Sequence, residues 1–250
     1  VSWDGGGGPV LKCIARVCML MMIAAIAGVL PASPAFAEAC IGNSGHYFLG
    51  YARDFTLNTS PSYGYGVGST YTIRASTPCT TTEQNYTTTW TMLLDHDNSG
   101  WVQSGYGKYN GSAGTVNFFQ TYDGVNSSSL NTFFYSTSLV AGQTHKYVQK
   151  YLTSGCPSTP QCIASYIDGG QVTITSWNPN SLWSATPWDV QFMNEVFFIN
   201  DIPPGSATAP MNMAGMEYYS GANWYSMPCG ILQVVNQEAT HWRHSESSCN

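Results

Sequence analysis

Beyond Ala37 this chain contains no amphipathic helical run of ten or more residues. Short stretches rich in Tyr, Phe, Val, Thr and Trp recur instead, parted by clusters of Gly, Asn, Ser and Pro. That is the pattern of strands and turns. Strands are expected at 71–74, 88–94, 101–108, 115–122, 132–138, 145–153, 163–167, 171–176, 190–199, 211–219 and 224–235. Strands at such spacing predict an all-β fold, an antiparallel β-sandwich of jelly-roll or related type. Asp168-Gly-Gly170 predicts a hairpin joining two of them. Residues 55–70, rich in Ser, Thr, Tyr and Gly, read as a surface loop or an irregular edge.

The first 37 residues read as an export signal. Lys12 and Arg16 supply the positive region, Val17 to Leu30 an uncharged and largely apolar run, and Ala35-Phe-Ala37 a small-x-small cleavage site. The run falls short of the roughly 20 residues of a membrane span. Val1 and the glycine run at Gly5–Gly8 place the expected start further in. Residues 1–37 are therefore left out of the fold, and 38–250 are expected to form one secreted domain, without an interdomain linker or internal repeat.

Eight Lys and Arg stand against fourteen Asp and Glu, a net charge of −6, and setting aside Asp4, Lys12 and Arg16 makes it one unit more negative. Such a surface repels phosphate backbones, so nucleic acid is not an expected partner. Sixteen Tyr, ten Phe and eight Trp can fill a core, which argues against disorder despite the scarcity of charge. Beyond the signal lie six cysteines: Cys40, Cys79, Cys156, Cys162, Cys229 and Cys249. An even number in an exported chain implies disulfides, although six allow fifteen connectivities. Proximity pairs Cys156 with Cys162, Cys40 with Cys79, and Cys229 with Cys249. No Cys-x-x-Cys spacing points to zinc.

Several motifs have two readings. Asp95-His-Asp97-Asn98-Ser-Gly100 has the alternating oxygens of a calcium loop, but its twelfth position is Tyr106 where a bidentate Glu belongs. A polar hairpin turn is the plainer reading, and no cofactor is expected beyond calcium at Asp95 and Asp97. Glu238, His241 and His244, three apart, either share a helical face or lie in a solvated tail. His46, His96 and His145 are isolated, and no Gly-x-Ser-x-Gly elbow is present. Sequons at Asn58, Asn85, Asn110 and Asn126 mark expected surface positions. Trp177, Trp183 and Trp188, interleaved with Asn178, Asn180 and Asp189, either offer rings to a sugar or cap one end of the sandwich.

Two strands carry one polar group each among apolar neighbours. Trp90-Thr-Met-Leu-Leu-Asp95 leads through its turn to Trp101-Val-Gln103-Ser-Gly, and Glu195 opens Glu-Val-Phe-Phe-Ile-Asn-Asp201. This order resembles the glutamic peptidases, or eqolisins. Their tryptophan strand leads to a Leu-Gln-Thr-Gly segment, and a later Glu-Trp-Ile-Val-Glu-Asp-like strand carries a glutamate. Residues 142–153 and Asp168-Gly-Gly170-Gln-Val-Thr follow in a similar order, so the likeness spans roughly residues 86–220. Where that family has a Trp-Tyr-Glu-Trp-type segment, this chain has Thr115-Val-Asn-Phe-Phe-Gln-Thr-Tyr122.

The resemblance implies a concanavalin A-like sandwich in which Glu195 activates water and later protonates the leaving amine, while Gln103 stabilises the oxyanion. A free glutamate titrates near ~4.3, so the chemistry suits an acidic exterior. Trp90, Asp95, Trp177, Trp183 and Trp188 are the expected substrate-binding residues. Three readings stay open: an acid endopeptidase, a non-catalytic glycan-binding or surface-recognition module, and a structural cell-surface protein. The expected partner is an extracellular polypeptide or a glycan, with no membrane association after signal cleavage.

Overall fold

The computed structural model describes residues 39–40, 47–53, 64–79, 85–95, 99–110, 114–135, 139–183, 188–198, 201, 204–205, 211–220, 222–227, 233–235 and 242–244. All of them belong to one compact unit, Ala37–Asn250. The elements run β1 (Tyr47–Arg53), β2 (Gly66–Thr72), β3 (Tyr86–Leu94), β4 (Trp101–Tyr109), β5 (Val116–Tyr122), a 3-10 turn (Ser127–Ser129), β6 (Asn131–Tyr135), β7 (Thr144–Leu152), β8 (Cys162–Ile167) and β9 (Gly170–Ile174). A one-turn helix α1 (Pro179–Leu182), β10 (Asp189–Val196), β11 (Met211–Ser220), β12 (Asn223–Ser226), β13 (Gln233–Val235) and β14 (Trp242–His244) follow.

The strands form two sheets. The first has the order β13-β1-β10-β3-β4-β5-β6, and the second β12-β11-β2-β7-β8-β9, with β14 beside β11. Every pairing is antiparallel except β11 with β14. The expected β-sandwich is the fold found. No helix among the described residues is long and apolar enough to cross a membrane.

Side-chain alternation divides the first sheet cleanly. Leu93, Val102, Tyr106, Val190 and Phe192 face the second sheet and meet Val67, Tyr71, Tyr147 and Ile163 in the main core. The interior is partly polar, and its polar groups tie the sheets together. The Tyr71 hydroxyl lies 2.9 Å from the Trp90 carbonyl and 2.5 Å from Thr91 Oγ1. Tyr147 donates to Asn117 Oδ1 at 2.5 Å. Gln149, with its amide oriented to donate to the Thr91 carbonyl at 3.1 Å, accepts from the Ser104 backbone at 3.2 Å. Buried polar groups satisfied in this way fix register, because a slip would strand them. Burial pushes the phenols of Tyr71, Tyr106 and Tyr147 well above the ordinary tyrosine range, so they remain hydrogen-bonding hydroxyls.

The expected hairpin is present: Asp168 and Gly169 both have positive φ, 49° and 82°, as a tight primed turn requires. Asp168 steadies it by accepting from the Lys146 backbone at 2.8 Å and pairing with His145 Nδ1 at 2.7 Å. The Cys40–Cys79 and Cys156–Cys162 disulfides form as expected, while Cys229 and Cys249 lie outside the described residues.

Four expectations need correction. Within 55–70, Gly66–Thr70 are not a surface loop but the first part of β2, inside the second sheet. The glycines that mimic a loop are packing devices, since a Cβ on Gly66 would meet the Gln149 carbonyl at 2.8 Å and one on Gly68 would meet Glu217 at 2.9 Å. The single strand expected at 224–235 is two, β12 and β13, in different sheets. Tyr47–Arg53, not expected as a strand, is β1 and flanks β10. Asn85, expected at the surface, is fully buried and donates to the Cys79 carbonyl and to Asp201 Oδ1, both at 3.0 Å.

Candidate active site

Register places the two sequence-predicted groups on the same face of one sheet. Glu195 of β10 opposes Thr88 of β3, which opposes Gly107 of β4. Gln103 of β4 opposes Met92 on β3 and Gln120 on β5, and Gln120 opposes Thr132 on β6. Gln103 and Gly107 are four residues apart on one strand. An even offset puts Gln103 and Glu195 on the same side, with their rows ~13 Å apart along the strand direction. This is the face turned away from the second sheet, and it carries its own apolar cluster of Trp90, Phe118 and Met193.

Both groups line a single cleft of about 140 Å³, with Tyr86, Thr88, Tyr109, Phe118, Gln120, Thr132 and Phe134. Gly105 and Gly107 lie between them and project no side chain. Gly105 has no room for one: a Cβ there would sit 1.8 Å from the Thr89 carbonyl and 2.7 Å from Trp90 Cα. Close approach of β3 and β4 and an open floor thus have the same cause.

Glu195 is 7% exposed and held from two directions. Tyr86 donates its hydroxyl to Oε1 at 2.8 Å, and Trp90 donates Nε1 to Oε2 at 2.9 Å. One donor on each carboxylate oxygen fixes the orientation of the group. Burial first, and then the negative charge of Glu195, push the Tyr86 phenol well above the tyrosine range. Tyr109 is raised in the same way. Both phenols therefore stay protonated.

Gln103 is also 7% exposed. Its Nε2 donates to Gln120 Oε1 at 2.5 Å, and Gln120 Nε2 in turn donates to Thr132 Oγ1 at 3.2 Å. Trp101 Nε1 reaches the same Gln120 oxygen at 3.4 Å. This relay fixes which end of the Gln103 amide is the donor, and its second N–H has no acceptor among the described residues. The Thr88 hydroxyl is buried and has no protein partner among the described residues.

Of the other expected site residues Trp90 reaches Glu195, and the rest described fall elsewhere. Trp90 is 2% exposed and acts on Glu195 through its indole nitrogen rather than by offering a ring face. Asp95 is buried in the β3–β4 turn, where its Oδ2 accepts from Ser99 at 2.7 Å and its N–H bonds the Gly100 carbonyl at 2.8 Å. Asp97, the second candidate calcium ligand, lies outside the described residues, as do His46, His96, Glu238 and His241. Trp188 is fully buried and Trp183 nearly so, with rings 5.1 Å apart, and both belong to the main core. Trp177 is half-buried and packs on Trp183 at 5.4 Å. These rings fill one region of the interior and do not line the Glu195 cleft. Sequence reasoning missed Tyr86, Thr88, Tyr109, Gln120 and Thr132. The available signal was period-two alternation along β3, which puts residues 86, 88 and 90 on the face of Glu195.

No protein-family model matches the sequence, and no curated protein matches it. Among solved structures, scytalido-glutamic peptidase with a transition-state-analogue inhibitor matches at a TM-score of 0.51 and 13% identity, over 80% of this chain and 92% of that one. The same peptidase with a peptide-based transition-state analogue matches at 0.50 and 13%, over 77% and 88%. The chain shares their fold. At that identity the likeness establishes the glutamic-peptidase type of β-sandwich and nothing finer.

Proposed function

We propose that this protein is a secreted acid endopeptidase that uses Glu195 and Gln103. The observation that carries the reading is the opening of both groups onto one cleft of one sheet face. In the proposed reaction Glu195 removes a proton from water as the water oxygen attacks the scissile carbonyl carbon. The second N–H of Gln103 donates to the oxygen that becomes negative, the Gln103 and Glu195 side chains reaching toward each other from rows ~13 Å apart to a carbonyl held between them. Collapse of the tetrahedral intermediate breaks the C–N bond, and the proton held by Glu195 passes to the leaving amine. Tyr86 and Trp90 hold the carboxylate in place, and Gln120 keeps the Gln103 amide turned the right way. Tyr109, Phe118 and Phe134 supply apolar surface for substrate side chains, and the Thr88 hydroxyl a further polar contact.

Export fits the two disulfides, which form and persist outside the reducing cytosol. Trp183 and Trp188 are buried and offer no ring face for a sugar to stack on, and Trp177 is half-buried against Trp183. The test is cleavage of an unfolded protein at about pH 3–5. Glu195→Gln should abolish it, and Gln103→Ala should lower turnover by about 10²–10³, the usual effect of losing one oxyanion donor. Cleavage that survives Glu195→Gln at the wild-type rate overturns the proposal.

A further inference from the structure

A second cleft, of about 420 Å³, opens where β2, β7 and β11 end together. Its size lies within the ~300–1,000 Å³ typical of small-molecule sites. Backbone bonds pin the three ends: Tyr65 N–H donates to the Tyr219 carbonyl at 2.9 Å, and Tyr151 N–H to the Tyr65 carbonyl at 2.8 Å. The rings of Tyr65 and Tyr151 stack at 5.7 Å and 29°. Both rest edge-on against the buried Trp188, at 6.0 and 5.3 Å, which makes them a firmly backed aromatic wall.

The polar groups of this cleft are arranged for a ligand with hydroxyls and a negative charge. Asn180 Nδ2 donates to the Tyr151 hydroxyl at 2.6 Å and to Gln161 Oε1 at 3.2 Å. Its amide hydrogens are thereby spent, and the Tyr151 hydroxyl keeps its own proton for an outside acceptor. Lys150 opposes Gly66 across the β2–β7 ladder and lines the cleft. Its Nζ lies 4.1 Å from the centre of the Tyr219 ring and has no carboxylate partner among the described residues. On a chain of net charge −6, a cation that lines a cleft and has no carboxylate partner among the described residues is a local attraction for an anion. A polypeptide finds less here, because β2, β7 and β11 each have neighbours on both sides and present no free ladder for strand addition.

We propose that this cleft binds an acidic oligosaccharide, with a uronic-acid ring against Tyr65 and Tyr151 and its carboxylate at Lys150. The site is separate from the Glu195 cleft and independent of any peptidase activity. Calorimetric titration of the full chain with trigalacturonate, and with maltotriose as the neutral counterpart, tests it. Trigalacturonate should bind, more weakly as salt is added, and about tenfold more weakly to Lys150→Gln, the equivalent of one modest ion pair. Tyr151→Phe, which keeps the ring, should retain more affinity than Tyr151→Ala, and far-UV circular dichroism establishes that each variant is folded. The proposal is overturned if trigalacturonate does not bind, if Lys150→Gln binds it as tightly as wild type, or if maltotriose or a carboxylate-terminated tripeptide binds equally well.

Discussion

The hydroxyl of Tyr86 lies 2.8 Å from Glu195 Oε1, so a neutral phenol on β3 steadies the one carboxylate that lines the cleft among the described residues, on β10. The two residues are 109 apart in sequence and are brought together by the β3–β10 ladder. Because the phenol resists ionisation, it donates throughout the acidic and neutral range. Tyr86→Phe should lose about 1.5–3 kcal/mol, the range for a hydrogen bond to a charged group. Urea unfolding of Tyr86→Phe, Glu195→Gln and the double variant measures it. A coupling below about 0.5 kcal/mol would mean that the pair is not energetically linked.

Gln103 depends on Gln120 for its orientation. Gln120→Met preserves much of the volume but removes the acceptor for Gln103 Nε2 and the link to Thr132. Freed, the Gln103 amide can rotate and present its oxygen where a donor is needed. On the peptidase reading, kcat should fall about tenfold with KM nearly unchanged, since the lost interaction belongs to the transition state. A rise in KM at constant kcat would make Gln120 a substrate contact instead.

Acid stability should depend on Asp123, in the loop between β5 and β6. Burial alone would raise its carboxyl, but Ser129, the backbone N–H groups of Asn126 and Val125 and the Asn126 amide outweigh that and hold it down to about 2. A carboxyl lowered in the folded state stabilises above its unfolded value, near ~3.9, and loses that contribution as pH falls through the folded value. Wild type should therefore be more stable than Asp123→Asn at pH 5, with the gap closing between about pH 4 and about pH 2. Chemical denaturation across that window reads it directly. A gap that does not change with pH would show that the carboxylate charge plays no part.

What could be read from the sequence follows the range of the interactions involved. Alternation of apolar and polar residues is local, and it located the nine strands β3 to β11, along with the Asp168 turn. It misread Gly66–Thr70 because those glycines answer to Glu217 and Tyr219, more than a hundred residues away. Gln103 and Glu195 could be singled out as lone polar groups on apolar strands, but their supports could not. Tyr86 and Gln120 resemble any strand tyrosine or glutamine until pairing order is known. The tryptophans at 177, 183 and 188 have the composition of a sugar platform, and only tertiary packing makes two of them core.

Asp201 carries a load that the sequence does not announce. It is 6% exposed, and its two oxygens accept four N–H groups. Cys79 N–H at 2.7 Å and Asn85 Nδ2 at 3.0 Å reach Oδ1, while Phe197 and Phe198 N–H reach Oδ2 at 3.1 and 2.7 Å. One carboxylate thus joins the disulfide-bonded Cys79, the residue before β3 and the chain just past β10, the two strands that position Tyr86, Trp90 and Glu195. Asp201→Ala would leave the buried Cys79 and Phe198 N–H groups without their acceptor, while Asn85 Nδ2 keeps the Cys79 carbonyl and Phe197 N–H the Tyr86 carbonyl. The cost should be about 3–5 kcal/mol, that of removing one partner from a buried charged network. The Cys40–Cys79 bridge closes a loop of 39 residues, worth ~4 kcal/mol in the chain-entropy model. Asp201→Ala combined with Cys79→Ser should therefore cost less than the sum of the two, since both act on the same junction. Thermal unfolding of the two single variants and the double variant decides this. Strict additivity would mean that the bridge and the carboxylate act independently, and that β10 is held at this end by something else.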